Sequence, residues 1–278
     1  MNNPLAPSPT IQRAAPVRSI SMRRIALPSE HGGWGFLGEP LVAGLAIVFS
    51  STAPWIVLMT IGAFLVRQPL RMLIADRRGR RDASLAINAL CFILFYAFVF
   101  ALGLTETVVN GGMRPLIPFF IVLPLVTVQI YFDSFRRSRA LVPEIAGAIS
   151  ISASVAAIAL AGGFPCLFAA ALWLVLIAQL VPSILYVRER LRLEKGKACS
   201  LPVAVTAHIA ALVLVGVLAF FDLVPVIAVA AMIILLFRAI TGLSATRKKM
   251  RAMQIGVREV IYGVLTVLIL VIGYYAGL

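Results

Sequence analysis

The chain has 278 residues, 61% of them apolar and 13% charged, with a mean hydropathy of +1.01 and a formal net charge of +14. A soluble domain carries about 45–50% apolar and about 25% charged residues, so the composition excludes a soluble globular protein, and equally a disordered or fibrous one. In a membrane chain the basic excess reads first as topology, not as a nucleic-acid surface.

Residues 1–30 contain prolines, serines and Arg13, Arg18, Arg23 and Arg24, with no long apolar run. This predicts a disordered basic tail, and the absence of a small-x-small cleavage site predicts that it stays attached. A single transmembrane helical domain is expected over 31–278. A bilayer core about 30 Å thick needs about 20 mostly apolar residues. Nine segments are candidates: 33–50, 54–74, 85–104, 115–132, 142–161, 165–187, 202–221, 223–243 and 258–277. The last pair but one is divided by Phe221-Asp222-Leu223-Val224-Pro225, where an acid and a proline predict a hairpin. Cys91, Cys166 and Cys199 have no CxxC spacing and imply neither a disulfide framework nor a metal site.

The basic residues fix an expected orientation. Of 25 Lys and Arg, 21 fall in the tail and in the loops after spans 2, 4, 6 and 8. Only Arg114 lies in an opposite loop, and Arg67, Arg71 and Arg238 lie within spans. Lys and Arg are retained in the cytoplasm, so the N-terminus is expected inside and the C-terminus outside a bacterial cytoplasmic (inner) membrane. Anionic inner-leaflet lipids are the natural counterpart of the basic loops.

Polar residues inside the spans cluster toward the basic end: Glu39, Arg67, Arg71, Asn88, Gln129, Tyr131, Glu144, Gln179, Tyr186, His208, Arg238, Glu259 and Tyr262. Glu39 lies about 12 Å in from the start of span 1. Two readings compete: helix ends collecting polar residues that snorkel, or several spans lining a polar cavity open to the cytoplasm. A transporter would place such groups near the midplane with access to both sides.

Three segments carry chemistry. Glu30-His31-Gly32-Gly33-Trp34-Gly35 leads into span 1, where glycines allow close backbone approach and His31 is a candidate acid, base or ligand. It reads equally as a membrane-entering turn anchored by Trp34. Arg67 and Arg71 are one turn apart, and two guanidiniums on one face suit a phosphate or carboxylate. Tyr186-Val-Arg188-Glu-Arg190-Leu-Arg192 places Arg188 and Arg192 on one face, or simply forms a basic helix end under the leaflet. His31 and His208 make a weak case for axial haem ligation, because a lone histidine in a span is more often a packing residue.

The segment Tyr131-Phe-Asp133-Ser-Phe-Arg136-Arg137, continuing to Pro143-Glu144-Ile-Ala-Gly147, resembles the Tyr-x-x-x-Lys-Arg segment of the UbiA superfamily of intramembrane prenyltransferases. That superfamily is similar also in having nine spans, a cytoplasmic N-terminus and a cytoplasm-facing pocket. A closer similarity is to the YwiC-like family of bacterial membrane proteins. It rests on Pro28-x-Glu30-His31-Gly32-x-Trp34, on Arg67-x-Pro69-Leu70 and on Tyr186-Val-Arg188-x-Arg190-Leu-Arg192, and spans roughly two-thirds of the chain. The prenyltransferase resemblance implies Asn-Asp-x-x-Asp and Asp-x-x-x-Asp motifs holding Mg²⁺ against a pyrophosphate. Here Asp76 and Asp82 are six apart among arginines, and Glu189 and Glu194 stand among five bases. Neither spacing suits one metal.

The expectation is an all-α polytopic bundle of about nine transmembrane helices, UbiA-prenyltransferase-like, with a metal-free anion site for a phosphorylated lipid or isoprenoid. Arg67, Arg71, Arg136, Arg137, Tyr186 and Arg188 are the candidate anion-binding residues, and His31, Glu39 and Glu144 the candidate catalytic ones. No cofactor and no nucleic-acid partner is expected. A metal-independent transferase and a non-enzymatic lipid-binding, assembly or transport protein both fit.

Overall fold

A computed structural model describes residues 21–28, 31–77, 83–135, 137 and 140–277. Ten helices follow one another among them: α1 (Met22–Ala26), α2 (His31–Ile47), α3 (Ala53–Arg77), α4 (Ala83–Gly111), α5 (Ile117–Ser134), α6 (Leu141–Ala161), α7 (Cys166–Glu194), α8 (Leu201–Phe220), α9 (Ala228–Leu243) and α10 (Ala252–Ala276). A 3-10 turn, Arg114–Leu116, leads into α5. The described residues contain no strand.

Seven of these helices are long and apolar enough to cross a membrane: α3, α4, α5 with its leading turn, α6, α7, α8 and α10. The chain is a multi-pass membrane protein. The two remaining expected spans are apolar but shorter, α2 with 17 residues and α9 with 16. At 1.5 Å per residue they reach about 24–26 Å, short of a hydrocarbon core about 30 Å thick. Each shortening has a local cause. Helix α2 stops at Ile47, and residues 48–52 turn the chain into α3. Helix α9 starts late because the hairpin takes the residues before it. Asp222 adopts left-handed backbone with φ 54°, and the N–H groups of Asp222 and Leu223 donate back to the carbonyls of Ala219 and Leu218, both at 3.0 Å. This arrangement ends α8 with satisfied carbonyls, and Pro225 follows.

Consecutive helices pack on one another, α3 on α4, α5 on α6, α6 on α7, α7 on α8 and α8 on α9. The basic segments at the ends of α7 and α9 meet at one end of the bundle, where Arg190 donates to the Lys248 carbonyl and Arg247 approaches Glu194. Helices α6 and α7 form its centre. Helix α6 is rich in small residues, with Ala146, Gly147, Ala148, Ser150, Ser152, Ala153, Ser154, Ala156 and Ala157 all buried. Between helices in lipid, apolar contact with tails is as good as contact with protein, and small side chains permit the close backbone approach that holds the bundle. Helix α6 accordingly touches α2, α3, α5 and α7. Helix α4 is the opposite case: Ile87, Leu90, Leu94, Phe95 and Phe98 are exposed, an apolar face suited to lipid. Polar side chains at depth are satisfied locally or across helices. Thr60 and Thr107 donate to the carbonyls four residues earlier, and the Trp173 indole donates to Ser152 Oγ at 2.9 Å.

The end of the segment read as a mobile tail is folded. Helix α1 docks against α3 and α4, and its Ile25 is 1% exposed. Gln68 Nε2 donates to the Arg24 carbonyl at 3.0 Å, and the Tyr96 hydroxyl to the Ala26 carbonyl at 3.1 Å. Composition misses this because one buried isoleucine and two backbone carbonyls hold the segment, not an apolar run. Residues 1–20 lie outside the described residues.

Candidate functional site

Helices α2, α3, α5, α6, α7, α9 and α10 enclose a cavity of about 770 Å³ at the basic end of the bundle. Its body is partly apolar, with Phe36, Phe64, Ile151, Leu180, Ile184 and Val260 on its walls. Arg188, Arg192, Lys195 and Lys197, from the end of α7 and the residues after it, supply its cations on one side. Arg67, Gln129, Glu39, Glu144, Gln179 and Glu259 complete a polar lining contributed by six helices.

Five of these six side chains are held by a neighbour. Gln179 Nε2 donates to Glu39 Oε2 at 2.7 Å, joining α7 to α2. Arg67 makes a two-pronged contact with Asp133 on α5, Nε to Oδ2 at 2.7 Å and Nη2 to Oδ1 at 3.1 Å. The fork geometry fixes both side chains, and Asp133 is 6% exposed. Arg188 Nη1 donates to Glu144 Oε2 at 2.8 Å, tying α7 to the start of α6. Two glycines make room for this lining. A Cβ at Gly263 of α10 would collide with the Glu39 carboxylate, and one at Gly147 of α6 with the Gln129 amide. Glu39 and Gln129 therefore lie directly over a neighbouring helix backbone.

Beside the cavity stands a second polar cluster centred on Arg238 of α9, which is 5% exposed. Its Nη1 pairs with Glu259 Oε2 at 2.6 Å, and Nη2 donates to Ser183 Oγ at 3.2 Å and to His208 Nε2 at 3.1 Å. Arginine can only donate, so Nε2 of His208 accepts, and the ring proton sits on Nδ1, donated to the Ala204 carbonyl at 2.7 Å. The guanidinium also lies over the rings of Tyr186, 4.5 Å from the centroid, and Tyr262, at 5.2 Å. Here His208 is a hydrogen-bonded packing residue. Glu259 belongs to both clusters, since it lines the cavity and pairs with Arg238.

The structure places the sequence candidates as follows. Glu39, Glu144, Arg67 and Arg188 line the one cavity. Arg71 does not: its Nη2 donates to Gln68 Oε1 at 2.7 Å, and Gln68 in turn holds Arg24, so this arginine serves the docking of α1. Tyr186 also lies away from the main cavity, stacked on Arg238 and lining the adjacent pocket. Arg137 is exposed and off the cavity wall. Tyr131, the aromatic residue of the prenyltransferase-like segment, is 61% exposed and packs on Phe135 at 4.9 Å. Arg136 and Asp82 lie outside the described residues, as do the side chains of His31 and Asp76. The second acidic pair is occupied with loop structure: Glu189 accepts from the Ser200 N–H at 2.6 Å, and Glu194 pairs with Arg190 at 2.8 Å. Among the described residues no group of three metal-ligating side chains comes together.

Several lining residues were visible only as topology. Lys195 and Lys197 figure in the charge count alone, and Arg192 only as the residue that shares a helix face with Arg188. A signal for others existed in helix spacing. Gly35 and Glu39, Gln179 and Ser183, and Glu259 and Gly263 are pairs four apart, and Glu144 and Gly147 are three apart, so each pair shares a face.

Residues 27–159 match the family model described as YwiC-like protein. Over that stretch, from the residue before Pro28 to near the end of α6, the similarity read from the sequence is supported. It covers the segments around His31, Arg67 and Tyr131 to Gly147, and ends before Tyr186. No curated protein and no solved structure matches the chain.

Proposed function

We propose that this protein binds a phosphorylated lipid or isoprenoid in the main cavity, from the cytoplasmic side of a bacterial inner membrane. The observation that carries this reading is one cavity combining apolar walls with four cations on the Arg188–Lys197 side. An amphiphile needs both, a dry surface for its chain and cations for its headgroup. Arg67 and Arg188 already have carboxylate partners. In this reading Arg192, Lys195 and Lys197 meet the headgroup first, and Arg188 turns to it from Glu144. The 21 basic residues of the tail and the alternate loops support the N-terminus inside and the C-terminus outside. Anionic lipid of the inner leaflet attracts the same loops.

A second reading is a prenyltransferase-like transfer without the aspartate-rich metal motifs, on the UbiA-like arrangement the sequence suggests. It is favoured by Glu39, a carboxylate held in place by Gln179 inside the cavity. In that reaction the carbon–oxygen bond to the phosphate breaks, a new bond forms to an incoming nucleophile, and Glu39 takes the nucleophile's proton. The phosphate departs toward the arginines and lysines, whose charge stabilises it. Glu144, bound to Arg188, positions that arginine. The non-enzymatic form of the same site is a lipid-binding, assembly or transport protein that holds its ligand without transferring anything.

The test is mass spectrometry of lipids copurifying with the wild type and with an Arg188→Ala/Arg192→Ala variant. A phosphorylated lipid or isoprenoid enriched with the wild type and depleted from the variant is the expected result. Identical profiles, with both proteins folded, would remove the site.

A further inference from the structure

A second, smaller pocket of about 440 Å³ opens between α9 and α10 at the same end of the bundle. We infer that it is a separate binding site for a phosphate group, held by Arg247, Lys248 and Arg258 in front of the buried Arg190 and Arg238. It lies beyond the main cavity and does not depend on that cavity's ligand.

Charge is the first argument. Five cationic side chains line this pocket, against one lining carboxylate, Glu259. Glu259 is committed to Arg238 and Glu194 to Arg190. Arg247 comes only to 3.9 Å from the same Glu194 oxygen, and Lys248 and Arg258 are exposed. An uncompensated cluster of this kind repels itself unless an anion joins it.

The second argument is the way the pocket is built. Arg190 is 3% exposed and Arg238 5%, so both guanidiniums were taken out of water to stand here. Such burial is costly unless every donor finds an acceptor. The Nε atoms of Arg190, Arg238 and Arg247 are buried without a hydrogen-bond partner, and beside them so is one acceptor, Glu194 Oε1, so three such donors face one such acceptor around this pocket. Arg190 further donates to the carbonyls of Gly242 and Lys248, which straps the 244–251 loop onto α7. Thr241, Ser244 and Thr246 bring hydroxyls to the same lining. Guanidiniums, an ammonium and hydroxyls converging on one small space match the oxygens of a phosphate monoester or of free phosphate.

The third argument is the link to the main cavity. An anion drawn to Arg238 competes with Glu259, the residue both pockets share. Occupation of the small pocket then loosens a carboxylate that faces the large one.

The experiment uses the full chain in detergent and two probes, radiolabelled orthophosphate and dihexanoyl phosphatidic acid, in equilibrium dialysis. Saturable binding of at least one probe is expected. Arg258→Gln should weaken it about tenfold, the loss of one charge-assisted hydrogen bond, and an Arg247→Ala/Lys248→Ala variant about a hundredfold, the loss of two. The Arg188→Ala/Arg192→Ala variant of the main cavity should retain it, so failure here and failure of the main-cavity reading are distinguishable. Binding of orthophosphate identifies a free phosphate as the ligand, and binding of the lipid alone identifies a headgroup. No saturable binding of either probe, or unchanged binding in both small-pocket variants, overturns the site.

Discussion

Replacing Arg238 with methionine keeps an apolar stem of similar length while removing the polar contacts its guanidinium makes in the α9 cluster. Glu259 then loses its cation, His208 Nε2 and Ser183 Oγ lose a donor, and Tyr186 and Tyr262 lose the guanidinium between them. Removing one partner of a buried ion pair costs about 3–5 kcal/mol in soluble proteins, because the other charge is left uncompensated. In a bilayer the unfolded helices also find partners, which lowers the figure to about 2–4 kcal/mol. With about 2–4 °C per kcal/mol for a chain near this size, the midpoint should fall by about 5–15 °C. Thermal unfolding of the detergent-purified protein, followed by the fluorescence of its three tryptophans, measures it. Glu259→Gln added to Arg238→Met removes the orphaned charge, so the double variant should be less destabilised than the sum of the singles. A single variant within about 2 °C of the wild type, or simple additivity, refutes the claim that Arg238 and Glu259 form a buried pair.

Two further substitutions probe the main cavity. Gly263→Ala places a methyl on the Glu39 carboxylate and forces it off Gln179, a cost of about 1–3 kcal/mol. Gly256→Ala on the same helix meets nothing within 4 Å and should stabilise by up to about 1 kcal/mol; equal melting of the two variants would contradict the packing described. Arg67→Ala leaves the Asp133 carboxylate buried and should cost about 1–3 kcal/mol, less than a fully buried pair because Arg67 is 31% exposed. The swap Arg67→Asp/Asp133→Arg should recover part of that loss in the same melting assay, and no recovery would show that the pair is not the cause.

Much of this architecture is legible in the sequence because hydropathy and positive charge act locally. The hairpin at Asp222 and Pro225, and the positions of the seven long apolar helices and two shorter ones among the described residues, follow from residues adjacent in the chain. The lengths of α2 and α9 do not, since hydropathy marks an apolar run without marking where inside it the helix gives way to a turn. Glu39, Arg67 and Glu144, which the sequence groups by depth, line one cavity together with Arg188, which it singles out only by motif. Partner choice is not legible there. Arg67 and Arg71 share a helix face, yet one reaches Asp133 on α5 and the other Gln68 on its own helix. That difference is set by what stands opposite each turn, which no spacing rule reports. Tyr186 shows the same limit. Its motif placed it beside Arg188, and its ring turned instead to Arg238, a residue from a distant helix.

Entry of a phosphorylated lipid or isoprenoid into the main cavity, as we propose, is tested most directly by photolabelling with a diazirine-bearing farnesyl phosphate as the probe. Peptides of α6 and α7 containing Ile151, Leu180 and Ile184, which form the cavity wall, should carry the label, and unlabelled farnesyl phosphate should suppress it. Label confined to the outward faces of α4 and α5, where Leu94, Phe98, Phe120 and Ile121 are exposed, would show the probe partitioning into the lipid around the protein and would contradict the account.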